Sequence, residues 1–133
     1  MLLTSIIVDT PALILDLNRF EANVSRMAQS ARTMGVALRP HAKCLKSAKL
    51  SSMQVLAGAV GICVAKLHEA EAIVHAGGPT NILITNQIVT KQKIIRLAAL
   101  SKSCEWLGVC VDNPVNVDML QVFNNYNDNN DDE

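Results

Sequence analysis

The chain reads as an α/β protein, and two observations carry that expectation. Short apolar runs recur at regular intervals: "PALILDL" from Pro11, "VALR" from Val36, "VGICVA" from Val60, "NILIT" from Asn81 and "WLGVCV" from Trp106. Their starts lie 25, 24, 21 and 25 residues apart, about the length of a compact strand–helix unit. Between them the apolar residues switch to a helical period. Most runs are apolar at nearly every position, as expected of parallel strands covered on both faces.

Taken in order, the first run predicts a strand ahead of a helix whose stripe is Phe20, Val24, Met27, Ala28, Ala31 and Met34. Asn18 is the expected cap, with Glu21 three residues on, and Gly35 the expected stop. Strands follow at Val36 and Val60. In the next helix Leu67, Ala70, Ile73 and Val74 would face the sheet. The opposite side carries His68, Glu71 and His75, a spacing that could hold a metal but reads more simply as a wet outer face. After the strand at Asn81, "TKQKIIRLAALSKS" begins with Thr90 as cap. After the strand at Trp106, "DNPVNVDML" offers Asn113 as cap and Pro114 at the first helical position. Gly77 and Gly78 read as helix termination. Thr85–Gln87 and Asp112 end strands, where parallel α/β proteins place ligand contacts or plain turns.

Alternating strands and helices fit an open doubly wound sheet or part of a (β/α)8 barrel. A whole barrel needs about 250 residues, and the chain has 133. No GxGxxG follows the first run, which weakens the dinucleotide-binding form of the open sheet. One domain with a real core fits the length and the 50% apolar composition.

Net charge is zero, but the last ten residues, "NNYNDNNDDE", hold four acids and no base. Residues 1–123 are therefore read as the structured unit and 124–133 as a disordered Asn/Asp-rich tail. No basic run is interleaved with aromatics, so nucleic acid is not an expected partner. No apolar run approaches the roughly 20 residues that span a bilayer, so no membrane is expected either. Cys44, Cys63, Cys104 and Cys110 make no CxxC pair or zinc-finger grouping. Cys63 and Cys110 read as small buried hydrophobes, and Cys44 as a packed bystander rather than a reactive thiol. With a poor signal peptide at the N-terminus, the expectation is a reduced, cytoplasmic protein.

The stretch "LRPHAKCLKS", residues 38–47, packs an arginine, a histidine and two lysines into a segment that begins like a strand. Strand alternation would put Leu38, Pro40 and Ala42 on one face and Arg39, His41 and Lys43 on the other. Burying unpaired charge costs several kcal/mol, roughly, so such a row points either to a wet edge strand or to a barrel mouth that meets an anionic ligand.

"DTPALILDLNRFEANVSRMAQSARTMGVALRPHAKCLKS" resembles the N-terminus of the D-threonine aldolase and D-serine dehydratase family. "GAVGICVAKLHEAEAIVHAGG", "NILITNQIV" and "VCVDNPVNVDML" continue the resemblance in family order to about Leu120. It implies a pyridoxal 5'-phosphate enzyme with an alanine-racemase-type (β/α)8 barrel, present here as a partial barrel of about five strands. In that family the lysine of RPHxK forms the Schiff base with the cofactor, which implies Lys43, with Lys46 the competing assignment. A lysine amine must lose its proton to attack an aldehyde, and a cationic, desolvated surrounding favours the neutral amine. Arg39 and His41 would supply part of that surrounding and belong to the implied cofactor site.

The implied reaction is that of a lyase on small D-3-hydroxy amino acids. Retro-aldol cleavage would give glycine and an aldehyde; the dehydratase version would use Lys43 as base at Cα. Two-base racemisation is disfavoured, because the only tyrosine, Tyr126, lies in the tail. Two departures stand out. The family continues K-T-H-K or K-A-H-K, whereas this chain reads Lys43-Cys44-Leu45-Lys46, with Leu45 in place of the second histidine. The family also runs on into later barrel strands and a C-terminal domain that holds a divalent metal. The chain is accordingly read as a truncated member, inactive alone and prone to self-association through unpaired strand edges.

Overall fold

The computed structural model describes residues 8–128. Its elements, in chain order, are α1 (Leu17–Met34), a short 3-10 turn (Ala42–Cys44), α2 (Ala48–Leu56), β1 (Ile62–Val64), α3 (Leu67–His75), β2 (Asn81–Ile84), α4 (Lys91–Ser101), β3 (Trp106–Val109) and α5 (Pro114–Asp128). The strands form one parallel sheet in the order β1-β2-β3.

Three of the five expected strands are therefore present. The first, from Pro11, forms no strand, and Leu13 and Ile14 stand exposed. The second, from Val36, runs beside β1 without becoming a regular ladder. Val60 N–H donates to the Leu38 carbonyl (2.9 Å) and Cys63 N–H to the Pro40 carbonyl (2.8 Å). Proline has no N–H to return, so the ladder is interrupted at Pro40. A single bridge, His41 to Cys63, is all that remains of strand pairing.

Register decides which side chains meet. Ile62, Ile82 and Leu107 align across the sheet, as do Val64, Ile84 and Val109. The four β1 and β2 members of this set are wholly buried, packed against Leu67, Ala70 and Ile73 of α3 and Ile94, Leu97 and Leu100 of α4. Cys63, Leu83 and Gly108 share the other face and are only half-buried. The expectation of strands covered on both faces is thus corrected: among the described residues helices cover one face, and the other carries the polar machinery.

Cap chemistry differs at one helix. Asp16, not Asn18, caps α1, its Oδ1 accepting from Arg19 N–H at 3.0 Å. Gly35 closes the helix at φ 67°, a left-handed conformation natural to glycine. Asp16→Ala is expected to cost about 1 kcal/mol, and Asn18→Ala less than about 0.5 kcal/mol, read by thermal melting. Thr90 occupies the cap position of α4 without a side-chain bond, whereas Asn113 Oδ1 accepts from Val115 N–H at 2.9 Å, with Pro114 opening α5. That helix runs through Asp128, into the stretch expected to be disordered; 129–133 lie outside the described residues. No described helix is long and apolar enough to cross a membrane.

Candidate functional site

The site is built on the helix-free face, where "RPHAK" runs beside β1 and sends side chains to both ends of β2. Arg39 reaches the N-terminal end of β2: Nη2 donates to Asn81 Oδ1 (2.8 Å), and Nη1 to the carbonyls of Asn81 (3.3 Å) and Ile62 (3.4 Å). Its guanidinium also lies 4.8 Å from the centre of the Trp106 ring, a cation–π contact with the first residue of β3. Two glycines make this possible. A Cβ on Gly61 would overlap the guanidinium and the Asn81 carbonyl, and one on Gly108 would overlap the Trp106 indole. One arginine thus joins three strands.

His41 goes the other way, to the C-terminal end of β2. Its Nε2 lies 3.2 Å from Thr85 Oγ1, and its Nδ1 accepts the Lys43 backbone N–H at 3.2 Å. That acceptor caps the 3-10 turn, which is why the strand alternation stops at His41. The expected row of three basic groups does not form: Arg39 and His41 diverge, and Lys43 sits in the turn, exposed to solvent.

The Lys43 amine makes no hydrogen bond or ion pair among the described residues. Lys46, the competing lysine, leaves the turn at φ 45° and pairs at 3.9 Å with Glu69, whose other carboxylate oxygen accepts from Ala65 N–H (2.9 Å). Leu45 lines an apolar cavity of about 350 Å³ with Phe20, Val24 and Met27 of α1. A histidine at this position would line the same cavity. Cys44 is exposed, correcting its reading as a packed bystander. Burial pushes the Cys63 thiol up, against a lowering by Arg39 and with a further rise from Cys110.

Thr85 and Asn86 make real contacts at the end of β2: Thr85 Oγ1 donates to the Val64 carbonyl (3.1 Å) and Asn86 Nδ2 to that of Ala65 (3.1 Å). Glu71 turns to Arg96 on α4, with one bond of 2.9 Å from Nε, so His68, Glu71 and His75 do not converge. No group of three His, Cys, Asp or Glu among the described residues could hold a metal; the donors present do not fit the divalent ion that the resemblance implies. They do fit a carbonyl-bearing cofactor at one end, since Lys43 presents an unpaired primary amine on an anchored turn. Asn81, Trp106 and Gly61 escaped the sequence reading because nothing local marks them as partners of an arginine far along the chain.

The chain is similar to several known proteins. Across 111 residues the chain is 40% identical to a 3-hydroxy-D-aspartate aldolase of Paracoccus denitrificans, covering 83% of this chain and 28% of that protein. The solved structure of D-threonine aldolase from Filomicrobium marinum superposes with a TM-score of 0.85 at 44% identity, over 90% of this chain and 32% of the other. D-threo-3-hydroxyaspartate dehydratase from Delftia sp. HT23 gives a TM-score of 0.82 at 34% identity, over 92% and 32%. The chain spans about three-tenths of the length of these relatives. Residues 15–129 match the family model described as alanine racemase, N-terminal domain. The chain belongs to the alanine racemase N-terminal domain family.

Proposed function

We propose that this chain is the cofactor-lysine portion of a pyridoxal 5'-phosphate-dependent lyase acting on D-3-hydroxy amino acids, of the D-threonine aldolase type. The observation that carries the reading is the Lys43 amine, exposed and unpaired on a turn whose preceding residues are tied to three strands. The names of the relatives, two aldolases and one dehydratase of D-amino acids, support the substrate class. We read the sheet as an arc of a (β/α)8 barrel, its helix-free face turned inward and its strand C-terminal ends at the mouth.

When bound, pyridoxal phosphate supplies a conjugated ring that accepts the electron pair freed at Cα. Lys43 would hold it through its aldehyde carbon. His41 holds the Lys43 turn against the C-terminal end of β2, and Arg39 secures the same segment at the other end, which makes it a positioning residue rather than a direct contact. In the aldolase reading a base takes the β-hydroxyl proton, the Cα–Cβ bond breaks to release the aldehyde, and Cα takes up a proton to leave as glycine. The dehydratase reading, favoured by the Delftia likeness, has Lys43 Nζ take the Cα proton while the hydroxyl departs. Product analysis separates them: glycine with an aldehyde, or ammonia with a keto acid. The chain spans about three-tenths of the length of these relatives, and the 133 residues alone are expected to show neither product.

The test is incubation with pyridoxal phosphate, borohydride reduction and peptide mass spectrometry. A stoichiometric adduct confined to Lys43 is the expected result. Labelling scattered over surface lysines, or centred on Lys46, would refute the assignment.

A further inference from the structure

We infer that Thr85 is a positioning residue for Lys43, acting through a single tautomer of His41; the inference rests on the role proposed above for Lys43. The Lys43 backbone N–H points at His41 Nδ1 (3.2 Å), so Nδ1 must present a lone pair. An imidazole that accepts at Nδ1 and is neutral carries its proton on Nε2. Nε2 faces Thr85 Oγ1 at 3.2 Å, and that hydroxyl has its own acceptor in the Val64 carbonyl at 3.1 Å. Every proton in this chain is used once, and all point the same way: Lys43 to His41, His41 to Thr85, Thr85 to Val64.

The reverse order fails on donor counting. A hydroxyl that donated to Nε2 would force the proton onto Nδ1, where it would meet the Lys43 N–H donor to donor. A doubly protonated ring meets the same conflict. Val64, where the chain ends, is a wholly buried residue of β1, so the lysine turn is referenced to the core rather than to a loop. Valine in place of Thr85 would have nearly the same shape but no oxygen. The hydroxyl at the end of "NILIT" is what selects the tautomer, the tautomer gives the turn its cap, and the cap holds Lys43. The span from His41 to Thr85 is 44 residues, so no local pattern could reveal it.

The test uses the whole 133-residue chain, labelled with nitrogen-15 and read by imidazole NMR at about pH 8, above the ordinary histidine range. His41 is expected as the Nε2–H tautomer alone, with the Lys43 amide slowed in hydrogen exchange. Thr85→Val should mix the tautomers, speed Lys43 amide exchange about tenfold and lower trapping of pyridoxal phosphate at Lys43 by about tenfold. Thr85→Ser should restore all three. An Nδ1–H tautomer in the parent chain overturns the inference without any variant. So does Thr85→Val with tautomer and exchange unchanged. If the parent chain is not labelled at Lys43 while His41 shows the expected tautomer, the cofactor assignment fails and the role of Thr85 in holding the turn stands.

Discussion

Gly61→Ala is expected to destabilise the chain by about 3 kcal/mol, the largest stability loss of any single methyl added to the candidate site. The added Cβ meets three groups at once: the Arg39 guanidinium, the Asn81 side chain and the Asn81 backbone carbonyl. A flexible side-chain end could yield cheaply, but this guanidinium is held by Asn81, Ile62 and Trp106. The carbonyl belongs to the first residue of β2 and cannot move without disturbing its register with β3. For a domain whose net stability is roughly 5–15 kcal/mol, such a loss is severe. Urea denaturation of the two chains measures it. Adding Arg39→Ala should give little rescue, because the carbonyl clash remains. A double variant as stable as Arg39→Ala alone would show that the guanidinium was the sole obstacle.

Lys43→Gln should lower covalent capture of pyridoxal phosphate by about a hundredfold, to the background of exposed lysines. Glutamine keeps an unbranched, polar-ended side chain, one atom shorter, but has no nucleophilic amine, and the His41 cap binds the backbone N–H, so the turn persists. Lys46→Gln should leave capture intact. Its ion pair with Glu69 is long and the lysine side chain is 69% exposed, so the loss costs under about 1 kcal/mol. Borohydride trapping across the three chains decides the matter. Equal loss from both lysines would mean that the two amines share one role; loss from Lys46 alone would move the assignment to the lysine that the geometry disfavours.

How much of this was legible in the sequence differs by element. The stripe from Phe20 to Met34, the stop at Gly35 and the Asn113–Pro114 start all lie in helices that the structure contains. They were readable because a helix satisfies its hydrogen bonds within a few residues. The α1 cap was misplaced by two residues because Asp16 and Asn18 are both good caps, and only the entry angle of the chain chooses between them. "PALILDL" looked like a strand for sound reasons, yet a strand needs a neighbour, and none of the described residues pairs with it. "VALR" failed differently: Pro40, which follows it, interrupts the ladder just before the segment turns away from β1.

At the candidate site, residue types were visible and their directions were not. "RPHAK" pointed to Lys43 only through its resemblance to a family, and the sequence alone carried the α/β order and the helices other than α2, Ala48–Leu56, which no pattern marked. Folding had to bring Asn81, which Arg39 grips across 42 residues, and Thr85, which His41 meets across 44. Those partners depend on the parallel register of β1 and β2, set by the buried isoleucines and valine on the opposite face. Alternation predicted three bases in a row; the His41 cap bent the chain after two. Local hydrogen bonds and periodicity can be read along a chain, whereas the pairing of distant polar groups follows from a core that must form first.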